Sequence, residues 1–183
     1  MVRFVSPIAL AALTMLAVLS LDVRLAGARA DDAADCLKSR GDAAIRGCSS
    51  IIKSGRLFGK PISKKKLSIT YSNRGVAYRK KGDYDRAIAD YDKAIKLNPK
   101  NASAYNNRAW AYFKWGKAAK GLPDANKAIE LNPKSGTVYG TRGRIYEALD
   151  RKDEAIADFR KALELDLSNE NRRDALNRLG VTL

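Results

Sequence analysis

The sequence repeats itself with a period of 34 residues. Tyr71, Tyr105 and Tyr139 lie 34 residues apart and begin the segments YSNRGVAY, YNNRAWAY and YGTRGRIY. A second block recurs in step and reads AIADYDKAIKLNP, DANKAIELNP and AIADFRKALELD in the three copies. Self-similarity at this period predicts a solenoid of helical hairpins, none of which can bury its apolar face alone. We therefore expect the chain to act mainly by binding other molecules.

Within each copy, the residues predict two amphipathic helices joined by a turn. Ile88, Tyr91 and Ile95 have the spacing of one helix face. Glycines supply the turns between helices, where the backbone takes positive φ, and prolines end the second helix. These punctuating residues are Gly82, Gly116, Pro99 and Pro133.

The middle copy departs from this pattern in its second helix. Gly121 and Ala125 replace the usual alanine and aromatic residue, and Pro123 falls where the helix should already be under way. Proline is tolerated in the first turn of a helix but disrupts its interior. We therefore predict a second helix that begins late, near Gly121 or Leu122, in preference to a kinked one.

These residues resemble the tetratricopeptide repeat (TPR) family. Three complete copies, residues 68–101, 102–135 and 136–169, each carry an aromatic residue at position 4, a small residue at position 8 and an aromatic residue at position 11. The resemblance implies an all-α, right-handed superhelical solenoid of antiparallel helix hairpins. TPR arrays commonly end in a capping helix, which residues 170–183 would form with Ser168 as its cap. Its apolar stripe would be Ala175, Leu176 and Leu179.

The first 30 residues read as a secretory signal peptide. Arg3 gives a basic start, residues 8–19 form a short apolar stretch, and residues 28–30 form a small-x-small cleavage site. A membrane span needs roughly 20 apolar residues, so an uncleaved anchor is only the alternative. We expect a periplasmic or secreted protein that begins at Asp31.

Export would place the two cysteines, Cys36 and Cys48, in an oxidising compartment. In an oxidising compartment, an even number of cysteines is more often paired than free. Aligned with the repeats, residues 31–53 form a truncated helical hairpin with both cysteines on its inner face, which predicts a disulfide. A redox-active pair would need C-x-x-C spacing, and a zinc site would need more ligands in a chain without histidine. Residues 54–67 follow as a linker, the expected hinge, and the start of the first repeat helix.

No catalytic constellation is visible in the sequence. The chain has no histidine, no phosphate-binding glycine-rich loop and no G-x-S-x-G motif. A recurrent arginine and aspartate, 16 residues apart in each copy, are better explained as a repeated structural ion pair than as catalysts. The pairs are Arg74 with Asp90, Arg108 with Asp124, and Arg142 with Asp158. We expect no enzymatic activity, no cofactor and no metal.

The family resemblance implies a protein-binding groove on the concave surface, lined by the first helix of each copy. Asparagine amides can bond a peptide backbone as donor and acceptor, and aromatic residues can anchor an interface. For Trp110 and Phe113, the alternative is that the rings only pack between neighbouring helices. The predicted groove residues are Asn73, Arg79, Asn106, Asn107, Trp110, Phe113, Lys114 and Arg144.

One TPR specialisation is a clamp for the C-terminal carboxylate of chaperone tails. It uses lysine, asparagine and arginine at fixed positions of the first helices, and only Asn107 fits here. The other positions carry Ser72, Val76, Thr137 and Thr141. We therefore expect no clamp of this kind.

The chain is strongly basic, with 35 lysines and arginines against 20 acidic residues and a net charge of +15. Such an excess attracts anionic partners. Two functions compete: a protein-interaction module that uses the concave groove, and a basic envelope protein that binds anionic polymer or membrane surfaces through its convex face. Export makes nucleic acid a poor candidate. The lysines expected to face outward are Lys93, Lys96, Lys100, Lys117, Lys120, Lys127 and Lys134.

Overall fold

The computed structural model describes residues 31–38, 41–166, 168 and 170–182. The predicted signal peptide lies outside these residues. None of the described helices is long and apolar enough to cross a membrane. In chain order the elements are α1 (31–38), α2 (Gly41–Ser54), β1 (Arg56–Leu57), β2 (Lys60–Pro61), α3 (Lys64–Lys80), α4 (Tyr84–Leu97), α5 (Ala102–Lys114), α6 (Ala118–Leu131), α7 (Gly136–Glu147), α8 (Lys152–Leu165) and α9 (Glu170–Arg178).

Consecutive helices pack as hairpins joined by short turns. Helix α3 packs on α4, α5 on α6 and α7 on α8, and each hairpin contacts the next one along the chain. Gly82 and Gly116 take φ of 81° and 74° in the turns, and Asp150 takes φ of 56° at the equivalent place in the third copy. The first helices also contact each other, α3 with α5 and α5 with α7, so they form one wall. The predicted all-α solenoid is confirmed.

The prediction that the middle copy's second helix begins late is wrong. Helix α6 begins at Ala118, which is equivalent to Tyr84 of α4 and Lys152 of α8, and Pro123 lies inside it. Pro123 has no N–H to donate to the carbonyl of Ala119, four residues earlier. Both residues are exposed, so water can hydrate that carbonyl. The contacts of α6 with α5 and α7 outweigh the local cost of the proline.

Aromatic rings fill the first and third repeats. Tyr91 of α4 and Phe159 of α8 occupy equivalent positions, and both are buried. A Cβ atom on Gly75 would lie 2.7 Å from Cε1 of Tyr91, and one on Gly143 would lie 2.8 Å from Cε1 of Phe159. Each ring therefore occupies the space that a side chain on the first helix would need.

The middle repeat fills the same space with different apolar residues. Ala109 stands at the glycine position and Ala125 at the aromatic position, and Ile145 of α7 packs against both. A Cβ atom on Gly121 would lie 2.8 Å from the carbonyl oxygen of Ala109, so the glycine permits the close approach of α5 and α6. In the middle copy, Ile145 and the close approach of α5 and α6 thus compensate for the missing aromatic ring.

The recurrent arginines and aspartates form the predicted ion pairs. Nε and Nη2 of Arg142 donate hydrogen bonds of 2.7 and 2.8 Å to the two carboxylate oxygens of Asp158. The same two-bond geometry joins Arg74 to Asp90 and Arg108 to Asp124. Such bidentate pairs are geometrically specific. Each pair fixes the first helix of a repeat to its second helix.

The remaining guanidinium nitrogen, Nη1, of Arg74, Arg108 and Arg142 makes a contact that sequence reasoning did not predict. In all three repeats, Nη1 bonds a polar side chain on the second helix of the preceding hairpin. The partners are Ser49 for Arg74 and Asn126 for Arg142, both at 2.9 Å, and Asp92 for Arg108. Each arginine therefore also joins neighbouring repeats.

The N-terminal hairpin contains the predicted disulfide between Cys36 of α1 and Cys48 of α2. Both cysteines are buried in a small apolar cluster with Ala33 and Ile51. Helix α2 packs on α3, so this hairpin extends the solenoid at its N-terminal end. The disulfide crosslinks the smallest hairpin of the described array, where little apolar area is buried.

The predicted linker contains a β-hairpin that sequence reasoning missed. Strands β1 and β2 pair antiparallel, and Phe58 and Gly59 form the turn with φ of 50° and 74°. Positive φ at both positions is what a two-residue hairpin turn of this type requires. Leu57 and Ile62 pack on the disulfide cluster. The segment is therefore anchored to the N-terminal hairpin, and a hinge here stays a prediction.

The C-terminal helix α9 covers the last repeat, as predicted. Ala175 and Leu176 are buried against Phe159 of α8. Ser168 does not act as the predicted cap, because its hydroxyl donates to Oδ1 of Asp166 at 2.8 Å. Among the described residues, no backbone N–H of α9 (Glu170–Arg178) is seen to donate to this hydroxyl.

Candidate functional site

A cavity of about 270 Å³ opens between α5, α7 and α9. Amide, hydroxyl and guanidinium groups line it beside one indole ring, and no carboxylate of the described part of the chain does. The lining residues are Asn106, Asn107 and Trp110 of α5, Thr137, Gly140, Thr141 and Arg144 of α7, Phe159 of α8, and Asn171 and Arg172 of α9.

Half of the predicted groove residues meet in this cavity. Asn106, Asn107, Trp110 and Arg144 come from two neighbouring first helices, as the 34-residue spacing predicts. They converge because α5 and α7 contact each other along the same wall of the solenoid. The cavity lies in the C-terminal half of the array.

The other four predicted residues do not line this cavity. Asn73 lines a second cavity near the N-terminus, and Lys114 is exposed. Arg79 points into the first repeat, where its buried Nε lies near Tyr91. Burial raises the pKa of Tyr91 to about 12, and the charge of Arg79 opposes that rise.

Trp110 forms the apolar wall of the cavity. Its ring centroid lies 5.0 Å from that of Phe113, with the ring planes tilted by 37°. Phe113 packs on the buried cluster around Ile145. Phe113 therefore matches the packing alternative, whereas Trp110 is supported on one side by that packing and lines the cavity as well.

Sequence reasoning missed Arg172 of α9. It is only 8% exposed and lies on the same helix face as Ala175 and Leu176, three and four residues later. Its Nη1 donates to Oδ2 of Asp166 at 3.3 Å, whereas its buried Nε has no hydrogen-bond partner among the described residues. Burial lowers the pKa of Arg172, Asp166 opposes this, and the nearby charge of Arg144 lowers it further. Its spacing of three and four residues from Ala175 and Leu176 could have indicated that Arg172 faces the protein.

Arg144 and Asn106 also have unused bonding capacity. Arg144 makes no ion pair within the described part of the chain, and Glu147, three residues later, is bound by Nη2 of Arg178 at 3.1 Å. Oδ1 of Asn106 is buried without a hydrogen-bond partner among the described residues. The cavity thus offers free donors and a free acceptor.

The second cavity, of about 210 Å³, lies between α1, the β-hairpin and α3. Its walls are mainly apolar, and Leu37, Phe58 and Ile69 on its rim are 72%, 63% and 45% exposed. Lys66 and Asn73 add polar groups. The two cavities therefore differ in chemistry, apolar near the N-terminus and cationic near the C-terminus.

The outer surface carries the predicted lysines. Of the seven expected to face outward, Lys127 is half-buried and the others are exposed. Within the described residues, no three histidine, cysteine, aspartate or glutamate side chains gather as a metal site.

Family models described as TPR repeat and tetratricopeptide repeat match residues 71–116, 102–135 and 136–169. No curated protein matches the chain significantly. Many solved structures also match the chain.

The first TPR domain of human RPAP3 is 33% identical, with a TM-score of 0.62, and the match covers 63% of this chain and 91% of that one. The first TPR of Spaghetti (RPAP3), bound to the HSP90 peptide SRMEEVD, is 32% identical with a TM-score of 0.62, covering 64% of this chain and 94% of that one. MamA from Desulfovibrio magneticus RS-1, at 20% identity and a TM-score of 0.67, covers 84% of this chain and 82% of its own, and shows the fold alone. With three matching repeats and these neighbours, the chain belongs to the tetratricopeptide repeat family.

Proposed function

We propose that this protein is an exported TPR protein-interaction module that binds a segment of a partner protein in its concave groove and catalyses no reaction. The observation that carries the proposal is the cavity between α5, α7 and α9, where Trp110, Asn106, Asn107 and Arg144 converge. An indole wall can anchor an apolar side chain, and the amides can bond a peptide backbone in both directions.

The TPR neighbours support a protein partner. The Spaghetti domain is bound to an HSP90 peptide, and the second TPR domain of human RPAP3, 29% identical to this chain, is in complex with an HSP70 peptide. These titles name partners of those proteins. For this chain they support a peptide-like ligand, and crosslinking in intact envelopes followed by capture and mass spectrometry would identify its partner.

Replacing Trp110 with alanine should weaken binding of the captured partner about 30-fold, which corresponds to about 2 kcal/mol. The reason is that truncating a central aromatic anchor removes its apolar contacts. Affinity would be measured for the wild type and the variant by isothermal titration calorimetry with the purified partner.

Trp115→Ala is the matched control. It removes an indole of the same size that stacks on Tyr84, with ring centroids 6.2 Å apart, and does not line the cavity. It should leave the affinity nearly unchanged. Equal losses in the two variants, or no loss in Trp110→Ala, would contradict groove binding.

The second candidate is binding of an anionic polymer or membrane surface through the convex face. The exposed lysines on α4 and α6, including Lys93, Lys96 and Lys120, favour it. Such binding would be spread over many lysines and would fall steeply with salt, because polyanions release counterions on binding. A multiple-lysine variant that loses binding while Trp110→Ala retains it would select this function.

We further propose that residues 1–30 are a cleaved export signal. The disulfide supports this proposal, because such bonds persist mainly in oxidising compartments. N-terminal sequencing of the protein recovered from the periplasm or medium should begin at Asp31. An intact N-terminus on protein in the membrane fraction would indicate a retained anchor.

A further inference from the structure

Among the described residues, the cavity between α5, α7 and α9 is lined by two guanidinium groups and by no carboxylate. Arg144 and Arg172 both line it. The ionic partner of Arg172, Asp166, is 3.3 Å away and lies outside the lining. Glu147 is the only acidic residue in α7, and it is bound by Arg178. The cavity therefore has an excess of positive charge that a bound anion would neutralise.

The guanidinium group of Arg172 is held in place by its surroundings. The residue is more than nine-tenths buried, and a Cβ atom on Gly140 would lie 3.2 Å from its Nε. That Nε has no hydrogen-bond partner among the described residues. A buried donor without an acceptor is costly, particularly on a charged group. An acceptor that enters the cavity would satisfy it.

Asn106 adds the opposite requirement. Its buried Oδ1 is an acceptor that lacks a donor within the described part of the chain. Inorganic phosphate at neutral pH offers acceptor oxygens to the arginines and keeps at least one P–OH group that can donate to this amide oxygen. An acidic peptide offers both a carboxylate for the arginines and a backbone N–H for Asn106. Both ligands could meet the two requirements, and the indole of Trp110 in the same cavity, which can contact an apolar side chain, favours the peptide.

We propose that this cavity binds a carboxylate of the partner segment through Arg144 and Arg172, while Asn106 accepts a hydrogen bond from the backbone of that segment. The inference rests on the proposed function and adds the ligand class, an acidic segment. The site includes three of the clamp positions, Asn107, Thr137 and Thr141, in its lining but differs from the clamp in its cations. Its cations come from a later turn of α7 and from α9, and the clamp positions carry Ser72, Val76, Thr137 and Thr141 instead.

Nuclear magnetic resonance on the full chain labelled with ¹⁵N tests the site directly. The reporters are the Nε–H signals of Arg144 and Arg172 and the backbone amide of Gly140. Sodium succinate should shift these signals saturably, and sodium chloride at the same ionic strength should not. The absence of a saturable shift in both the Arg172 and Gly140 signals would overturn the inference. N-acetylaspartate methylamide, which joins a carboxylate to backbone N–H groups, should bind more tightly than inorganic phosphate, and the reverse order would overturn the carboxylate assignment.

Arg144→Gln should weaken succinate binding about tenfold, because it removes a charged donor of the site. Lys152→Gln is the matched control, since it removes one exposed positive charge from α8 outside the cavity lining. It should leave succinate binding nearly unchanged, and equal losses in both variants would overturn the inference. Arg144 is only half-buried, so its replacement tests the site without removing the buried Arg172.

The captured partner separates failure of this inference from failure of the proposed function. Binding that needs Trp110 and also weakens in Arg144→Gln supports both. Binding that needs Trp110 but is unchanged in Arg144→Gln overturns the carboxylate site and leaves groove binding in place. Binding that needs neither residue overturns both proposals.

Discussion

Replacing Phe159 with alanine should lower the free energy of unfolding by about 3–5 kcal/mol, a large fraction of the stability of a domain of this size. The ring is buried between Gly143 of α7 and Ala175 and Leu176 of α9. Its removal leaves a cavity where the third repeat meets the C-terminal helix. Urea unfolding followed by circular dichroism would measure the change.

Phe58→Ala is the matched control for this experiment. Phe58 is an exposed residue of the same type in the turn of the β-hairpin, so its loss should change the free energy of unfolding by no more than about 0.5 kcal/mol. The middle repeat already has Ala125 at the position of Phe159, but Ile145 fills the space there. A loss below about 1 kcal/mol in Phe159→Ala would show that the third repeat can collapse in a similar way.

Asp158→Ala should lower the free energy of unfolding by about 2–3 kcal/mol, because it leaves the guanidinium of Arg142 without its bidentate partner. The two side chains are 22% and 6% exposed, so the effect should lie between those of surface and buried ion pairs. The hydrogen bonds from Arg142 to Asp158 raise the pKa of the arginine, as expected when its charged form is stabilised. The measurement is again urea unfolding.

Glu164→Ala provides the control on the same helix. Glu164 forms an exposed ion pair with Lys161 at 2.8 Å, and its loss should cost less than about 1 kcal/mol. In a double-mutant cycle, Arg142→Met with Asp158→Ala should be less destabilising than the two single losses added together. Additive losses, or equal effects of Asp158→Ala and Glu164→Ala, would refute a structural role for the repeated pair.

The candidate site shows how far repeat spacing can predict which side chains lie together. Asn106, Asn107, Trp110 and Arg144 could be chosen in advance, because equivalent positions of contacting helices face the same way. For Phe113 the structure shows packing on the cluster around Ile145, and alignment alone does not say whether a ring packs inward or faces a ligand. Arg172 lies outside the repeats, so no equivalent position identified it.

The sequence by itself determined the helical hairpins, their period and the arginine–aspartate pairs, because these features depend on local spacing that recurs three times. It also determined the disulfide, because the chain has only two cysteines and the repeat alignment places both on the inner face of one short hairpin. Only the tertiary structure decided that α6 begins at Ala118 despite Pro123, because contacts with α5 and α7 outweigh one lost hydrogen bond. It also decided that Arg172 meets Arg144, because α9 packs against α8 through contacts between sequence segments with no shared pattern.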